Sequence, residues 1–142
     1  GYQIMQGDGT DVRPAKVKEK HLYCALANPG NPVLTATIFD ILHPEDYSSN
    51  LISFPEQGTL KLKDILALGN DLYQPAIRIC PQIATLIHQM KNSSVAERLL
   101  GVGMSGSGAS CFALSTSKNI VSQLCQELNA FGFWAVATSL IK

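Results

Sequence analysis

The sequence has no net charge and no long hydrophobic run. Its 11 basic residues balance 11 acidic ones, and the basic residues are scattered apart from Lys16, Lys18 and Lys20. Proteins that bind nucleic acids or membrane surfaces usually concentrate basic charge on one face. No run of about 18 apolar residues, the length that spans a bilayer, occurs, and no secretory signal sequence is recognisable. We therefore expect no nucleic-acid partner and no membrane partner.

The sequence also lacks metal-binding and disulfide patterns. It contains neither CxxC nor CxxH, and its histidines have no HExxH partner. Scattered cysteines inside apolar runs are typical of buried free thiols in a reducing compartment. We expect a cytoplasmic protein without zinc and without disulfides. The residues concerned are Cys24, Cys80, Cys111, Cys125, His21, His43 and His88.

The length and composition of the sequence are those of one compact domain. A chain of 142 residues with 46% hydrophobic and 15% charged residues has a usual domain size and enough apolar side chains for one core. Residues 1–20 are polar and turn-rich, with Gly7, Asp8, Gly9 and Pro14, and predict an entering strand or loop. The chain begins at Gly1 without a methionine, which suggests a fragment.

The first two thirds predict one strand and several helices. Residues 22–27 read as a buried strand and 28–32 as a turn rich in proline. A helix is predicted over 34–42, followed by a loop to residue 58 and a short helix over 60–68. The next helix starts at Asn70 or Asp71 as its cap and should kink or split at Pro81. The apolar positions predicted on one face of the first helix are Ala36, Phe39 and Leu42.

The last third predicts a hairpin, a helix and a final strand. Strands are predicted over 99–104 and 110–115, with a glycine-rich turn between them. A helix over 118–131, capped by Ser117 and with Phe131 on its apolar face, precedes a strand over 133–141. The order strand, helix, strand, strand, helix, strand predicts an α+β, ferredoxin-like split βαβ fold. Its four-stranded antiparallel sheet would carry the helices on one face.

The glycine-rich segment contains a literal GxGxxG at Gly101, Gly103 and Gly106. A dinucleotide site needs a helix after the glycines, but a strand-like segment follows here, so we consider the match accidental. No lysine follows the glycines as in a phosphate loop, and no GxSxG nucleophile motif is present.

Two interpretations of this turn remain open. Gly103, Gly106 and Gly108 are predicted to allow positive φ and close approach to backbone amides, and Ser105 and Ser107 add hydroxyl groups. Such a turn can hold an anion, or it can be a plain hairpin turn. Its four glycines in eight residues exceed what a hairpin needs.

Thr35 and Phe39 form the second candidate site. In a helix they lie one turn apart and share a face. Thr35 could cap the helix while Phe39 enters the core. Alternatively, Phe39 could offer its ring to a base, an interaction worth about 1–3 kcal/mol per stacked base.

Taken together, these segments resemble the family of galactokinase, homoserine kinase, mevalonate kinase and phosphomevalonate kinase. Residues 104–113 look like its third signature motif. Within the family, the resemblance is to the branch that phosphorylates a cytidine diphosphate-linked polyol in non-mevalonate isoprenoid biosynthesis. The stretches that carry it, in order, are 7–14, 23–39, 70–75, 81–83 and 104–113.

The resemblance implies a division of labour between two domains. It assigns residues 1–20 to a segment entering from a missing N-terminal domain and 21–142 to the C-terminal domain. ATP and Mg²⁺, the catalytic Asp and the assisting Lys would belong with the N-terminal domain, so no residue of this chain is predicted to be catalytic and the chain alone should be inactive. The predicted substrate-binding residues are Thr35, Phe39, Ser105, Gly106, Ser107 and Gly108.

Two alternatives stay open. The chain could belong to another kinase of the family, of the homoserine or mevalonate type, because the glycine-rich turn does not separate them. It could also be a ferredoxin-like ligand-sensing module, because a fold does not fix a function.

Overall fold

The structure is a computed structural model that describes residues 2–6, 10–19, 21–48 and 59–140. The strands are β1 (Tyr2–Gln6), β2 (Asp11–Val17), β3 (Tyr23–Asn28), β4 (Thr59–Leu60), β5 (Gly101–Met104), β6 (Cys111–Ser115) and β7 (Trp134–Ser139). The helices are α1 (Thr35–Asp40), α2 (Leu62–Leu66), α3 (Tyr73–Ile79), α4 (Gln82–Lys91) and α5 (Lys118–Ala130), with 3₁₀ turns at Pro44–Asp46 and Ala96–Arg98. The predicted segment Gly7–Gly9 and most of the predicted loop before residue 58 lie outside the described residues.

The main sheet has four strands in the order β5-β6-β3-β7. Every neighbouring pair is antiparallel, and Ala25 at the centre of β3 pairs with Ala113 on one side and Ala137 on the other. This strand order, with β3 and β6 central, is that of the split βαβ arrangement. The predicted α+β, ferredoxin-like fold is therefore confirmed.

The two longest helices, α4 and α5, pack on one face of this sheet. Side chains alternate between faces along a strand, so Ala25 and Ala27 of β3 point toward the helices and are fully buried. Their small size lets the helices approach the sheet closely. The main core is completed by Ile83, Leu86, Met90, Ile120, Val121, Leu124 and Leu128.

The opposite face carries a smaller core beneath α2. Leu62 packs there with Cys24 and Leu114 from the sheet. A Cβ at Gly101 would lie 2.7 Å from Leu66 Cδ1, which is closer than side-chain atoms approach. Glycine at this position therefore lets α2 pack directly against β5.

β1 and β2 are paired strands where the sequence predicts an entering strand or loop. β1 pairs antiparallel with β2, and β4 pairs with β2 through Lys16 and Val17, which makes a second, three-stranded sheet. Pro14 lies within β2 opposite Gln3. It is tolerated because β4 pairs only with the end of β2, and proline is found at such unpaired strand edges.

The predicted split of the central helix is confirmed. α3 ends at Ile79, Pro81 follows, and α4 begins at Gln82. Proline lacks the N–H that a continuous helix would need. The turn changes the chain direction without leaving the core, because Ala76 and Ile83 on its two sides are both fully buried.

The predicted apolar faces are wrong at two phenylalanines. α1 is a six-residue helix that buries Ile38, while Phe39 is 56% exposed and Ala36 is exposed. In α5, Leu128 is buried, but Phe131 follows the last turn and is 63% exposed. A short helix offers less than two turns, so its periodicity does not fix which side faces the core.

The predicted helix caps are confirmed only at α5, where Ser117 occupies the N-cap position, although its side chain makes no capping hydrogen bond. Leu34 occupies the N-cap of α1, and Thr35 is the first helical residue. Leu72 occupies the N-cap of α3. The Thr35 hydroxyl has a tertiary partner instead, and Asn70 combines a local hydrogen bond to the N–H of Leu72 with tertiary ones.

All four cysteines are free and buried, as predicted. Burial raises the pKa of Cys111 to about 12 and that of Cys125 to about 11. The thiolate is the nucleophile that reacts with thiol reagents. We therefore expect all four thiols to resist Ellman's reagent in the folded chain and to react rapidly in denaturant, monitored by absorbance. Rapid reaction of even one thiol without denaturant would contradict this packing.

Within the described ranges, no helix is long and apolar enough to cross a membrane. The same residues contain no group of three or more His, Cys, Asp or Glu side chains placed to hold a metal ion.

Candidate functional site

The candidate site is built on the turn between β5 and β6. Ser105 N–H donates to Ser110 O at 2.9 Å and closes the turn, while Gly108 N–H donates to Ser105 O at 3.0 Å inside it. Gly106 has φ +55° and Gly108 has φ +87°, which are left-handed conformations that favour glycine. The prediction is wrong at Gly103, which lies in β5 and does not have a positive φ. Because β6 follows the turn, the GxGxxG match opens no helix, and the prediction that it is accidental is confirmed.

Asn70 ties this turn to the start of α3. Its Nδ2 donates to Gly106 O at 2.8 Å and to Met104 O at 3.1 Å. Its Oδ1 accepts the N–H of Leu72 at 3.0 Å. The side chain therefore uses both ends of its amide to connect α3 with the glycine-rich turn.

Asn28 ties the other end of the turn to β3. Its Nδ2 donates to Ser110 Oγ at 3.1 Å, and its Oδ1 accepts the N–H of Gly30 at 2.8 Å. Asn28 closes β3 just before the Pro29-Gly30 turn. The turn is thus held at both ends by asparagine amides from separate parts of the chain.

Helix α1 contacts the turn directly. Thr35 Oγ1 lies 2.8 Å from Ser107 Oγ, a hydrogen bond in which either hydroxyl can donate. Phe39 lies one helical turn further along α1 and is more than half exposed. The structure therefore joins Thr35 and Ser107 and leaves the Phe39 ring open to a ligand.

The remaining predicted residues line the turn itself. Ser105 and Gly106 are exposed, whereas Ser107 and Gly108 are half-buried. Among the described residues, the N–H groups of Gly106 and Ser107 donate to no protein acceptor. Free amides and hydroxyls at a glycine-rich turn can bind an anionic or polyhydroxyl ligand, but they provide no general base and no nucleophile.

Arg78 holds the segment after α1 against α3. Its Nη1 donates to Asp46 Oδ1 at 3.0 Å and its Nη2 donates to Ile41 O at 3.2 Å. The hydrogen bonds from Arg78 are the main cause that lowers the pKa of Asp46 below its ordinary 3.8. The ion pair therefore fixes the C-terminal end of the helix that carries Thr35 and Phe39.

Replacing Asp46 by asparagine should lower the melting temperature modestly at neutral pH, because the Arg78 side chain is 43% exposed and solvent screens the ion pair from that side. The folded-state pKa is depressed, so the carboxylate stabilises the fold fully above pH 3.8 and loses that contribution as the pH falls through the folded-state value. The difference between wild type and Asp46→Asn should therefore shrink in acid, measured by thermal denaturation across pH. A constant difference would contradict the ion pair's role.

A cavity of about 630 Å³ lies beside the edge strand β5, between α2 and α4. Its wall includes Asn70, Gly103 and Met104 but none of Thr35, Phe39 and Ser107. The predicted residues therefore form an open surface next to this cavity and do not line it.

The asparagine contacts were not predicted from the sequence. The sequence predicts Asn28 as part of a turn and Asn70 as a helix cap. Both predictions concern local hydrogen bonds, which use only the Oδ1 atom. The Nδ2 contacts reach residues 82 and 36 positions away. A local pattern carries no signal for partners at such separations.

Comparisons with known proteins agree with this architecture. Residues 56–133 match the family model of the GHMP kinases C terminal. The chain is 38% identical over 122 residues to 4-diphosphocytidyl-2-C-methyl-D-erythritol kinase of Granulibacter bethesdensis, covering 82% of the chain and 39% of that relative. It is 32% identical over 135 residues to the same kinase of Cereibacter sphaeroides, covering 92% of the chain and 47% of that relative. The chain thus spans less than half the length of these relatives.

A solved structure shares the fold. The crystal structure of 4-(cytidine 5'-diphospho)-2C-methyl-D-erythritol kinase superposes with a TM-score of 0.69 at 24% identity, covering 96% of this chain and 48% of that one. At this identity the likeness establishes the fold. Since the family model matches more than half of the residues, the chain belongs to the GHMP kinase family and contains its C-terminal domain.

Proposed function

We propose that this chain is the substrate-binding C-terminal part of a 4-diphosphocytidyl-2-C-methyl-D-erythritol kinase. Both relatives described above carry that name at 38% and 32% identity. Their additional length leaves room for the ATP-binding and catalytic groups that the described residues lack. The division into an entering segment, residues 1–20, and a domain, residues 21–142, remains a prediction, as does the cytoplasmic location.

The reaction of the whole enzyme would transfer the γ-phosphoryl group of ATP, with Mg²⁺, to the 2-hydroxyl of the cytidine diphosphate-linked polyol. Such transfers depend on positioning and on neutralising charge rather than on covalent catalysis. This chain would contribute positioning. It offers one aromatic ring, two hydroxyls and two backbone amides that have no acceptor among the described residues, which suits a base, a sugar or polyol, and a phosphate.

Each predicted residue has a distinct role in this proposal. Phe39 packs its exposed ring against the cytosine. Thr35 and Ser107, already paired, present hydroxyls to the polyol. Ser105, Gly106 and Gly108 keep the backbone amides of the turn accessible to the reacting end of the substrate.

The single observation that carries the proposal is the 2.8 Å contact between Thr35 Oγ1 and Ser107 Oγ. It joins two segments 72 positions apart that the family resemblance assigns to one substrate-binding surface. A plain hairpin turn requires no such contact, and a core role for Phe39 is excluded by its exposure.

The proposal is tested by titrating the chain with cytidine diphosphate while recording the Phe39 ring and Thr35 methyl resonances. We expect ring-current shifts at Phe39 together with smaller shifts at Thr35. Homoserine and mevalonate are the control ligands and should leave both residues unchanged. Larger shifts with either control would favour another kinase of the family, and shifts elsewhere in the sheet would favour a ligand-sensing module.

A further inference from the structure

We propose that Asn70 is a positioning residue that aims the amides of the glycine-rich turn at the substrate. This inference rests on the proposed function, because it concerns the same surface. Asn70 itself contacts no substrate in this arrangement. It acts through the two carbonyl oxygens of Met104 and Gly106, which its Nδ2 group binds at 3.1 and 2.8 Å.

Binding a carbonyl oxygen also fixes the direction of the N–H in the same peptide unit. The C=O and N–H of a trans peptide point in opposite directions. With Met104 O on Asn70, the N–H of Ser105 points away and binds Ser110 O. By the same rule, fixing Gly106 O on Asn70 directs the N–H of Ser107 away from Asn70. That N–H has no acceptor among the described residues.

The Nδ2 group of Asn70 is not needed for the local turn. An Asx turn requires only the side-chain oxygen, which here accepts the N–H of Leu72. Aspartate serves equally well in that local role. Asparagine therefore adds one capability at this position, the donation of hydrogen bonds to the glycine-rich turn.

Asn28 repeats this arrangement at the far end of the turn. Its oxygen accepts a backbone N–H two residues onward, at Gly30, and its Nδ2 donates to Ser110 Oγ. The partners differ in one respect: a hydroxyl can also donate, whereas the carbonyls bound by Asn70 can only accept. A carboxylate at position 28 could thus keep its contact, while a carboxylate at position 70 would face two acceptors.

The test compares Asn70→Asp with Asn129→Asp in this chain by ¹⁵N-resolved NMR. Asn129 is a matched control because its amide also binds backbone on both sides, accepting from Ala135 N–H and donating to Ala135 O at 3.1 Å, away from the turn. We expect Asn70→Asp to shift the Gly106 and Ser107 amide signals and to speed their hydrogen exchange. Asn129→Asp should leave both signals in place.

Two additions keep the test decisive. Asn70→Ala removes the Nδ2 donor, together with the Oδ1 acceptor, without adding a charge, so it replaces Asn70→Asp if that variant does not fold. In the full-length kinase, either variant should lower kcat about 100-fold, the effect of a small misplacement of reacting groups, with KM for ATP unchanged. Unchanged Gly106 and Ser107 amide signals, or an unchanged kcat, would overturn the positioning role. A full-length wild-type protein without kinase activity would overturn the proposed function instead. The NMR comparison would then still decide whether Asn70 positions the turn.

Discussion

Replacing Phe39 by alanine should raise the KM of the full-length kinase for its cytidine diphosphate-linked substrate by about 5- to 150-fold. This range corresponds to the roughly 1–3 kcal/mol that an aromatic side chain contributes by stacking on one base. Because the ring is 56% exposed, its removal should cost little stability. The measurement is steady-state kinetics with the substrate varied and ATP saturating, together with the melting temperature of each variant.

Phe131→Ala provides the matched control for this prediction. Phe131 is 63% exposed and directly follows α5, whereas the predicted substrate-binding residues lie in α1 and in the turn between β5 and β6. Phe131→Ala should leave KM unchanged. An unchanged KM for Phe39→Ala, or an equal rise for Phe131→Ala, would exclude stacking at Phe39.

Gly108→Ala should destabilise the chain by about 2–5 kcal/mol. The residue has φ +87°, and a left-handed conformation costs about 1–2 kcal/mol for a non-glycine residue. A Cβ at this position would also lie 2.9 Å from Met104 Sδ and 3.2 Å from Ile83 Cδ1. Crowding of this kind in a packed core adds about 1–3 kcal/mol. Urea denaturation of the isolated chain measures the sum.

Gly132→Ala separates the two causes. Gly132 has φ +90°, and a Cβ there would meet no atom within 4 Å. It should therefore show only the conformational cost. Equal losses of stability in the two variants would mean that the turn has room for a side chain, which would contradict its close contact with the core beneath it.

The sheet and its two long helices could be predicted because their signals are local and repeated. α4 and α5 carry apolar side chains at helical spacing over 10 and 13 residues. Pro81 predicts the break between α3 and α4, because proline lacks the backbone N–H that a continuous helix needs. The signal fails where it is short, as in α1 with six residues: the predicted apolar face contained Phe39, whereas the buried residue is Ile38.

The pairing of β1 with β2 could not be predicted in the same way. The two strands mix polar and apolar residues and include Pro14, so the sequence alone does not decide between a strand and a loop. The second sheet depends on two residues of β4 more than 40 positions away. Pairing between distant segments is a tertiary property that no local pattern encodes.

In the candidate site, too, local features could be predicted from the sequence and contacts between distant segments could not. Glycines at positive φ could be predicted from composition, since few other residues tolerate that conformation. The hydroxyl pair of Thr35 and Ser107, and the amide bonds from Asn28 and Asn70, could not. Each joins groups that come together only after the sheet has formed, so the sequence predicts the residue types and the fold decides their contacts.

The most direct test of the proposed function is a coupled ADP-release assay on the full-length gene product with 4-diphosphocytidyl-2-C-methyl-D-erythritol. Homoserine and mevalonate serve as alternative substrates, and this chain alone runs in parallel. We predict ADP release with the cytidyl substrate only, and none from the isolated chain. ADP release with homoserine or mevalonate instead, or turnover by the isolated chain, would contradict the assignment.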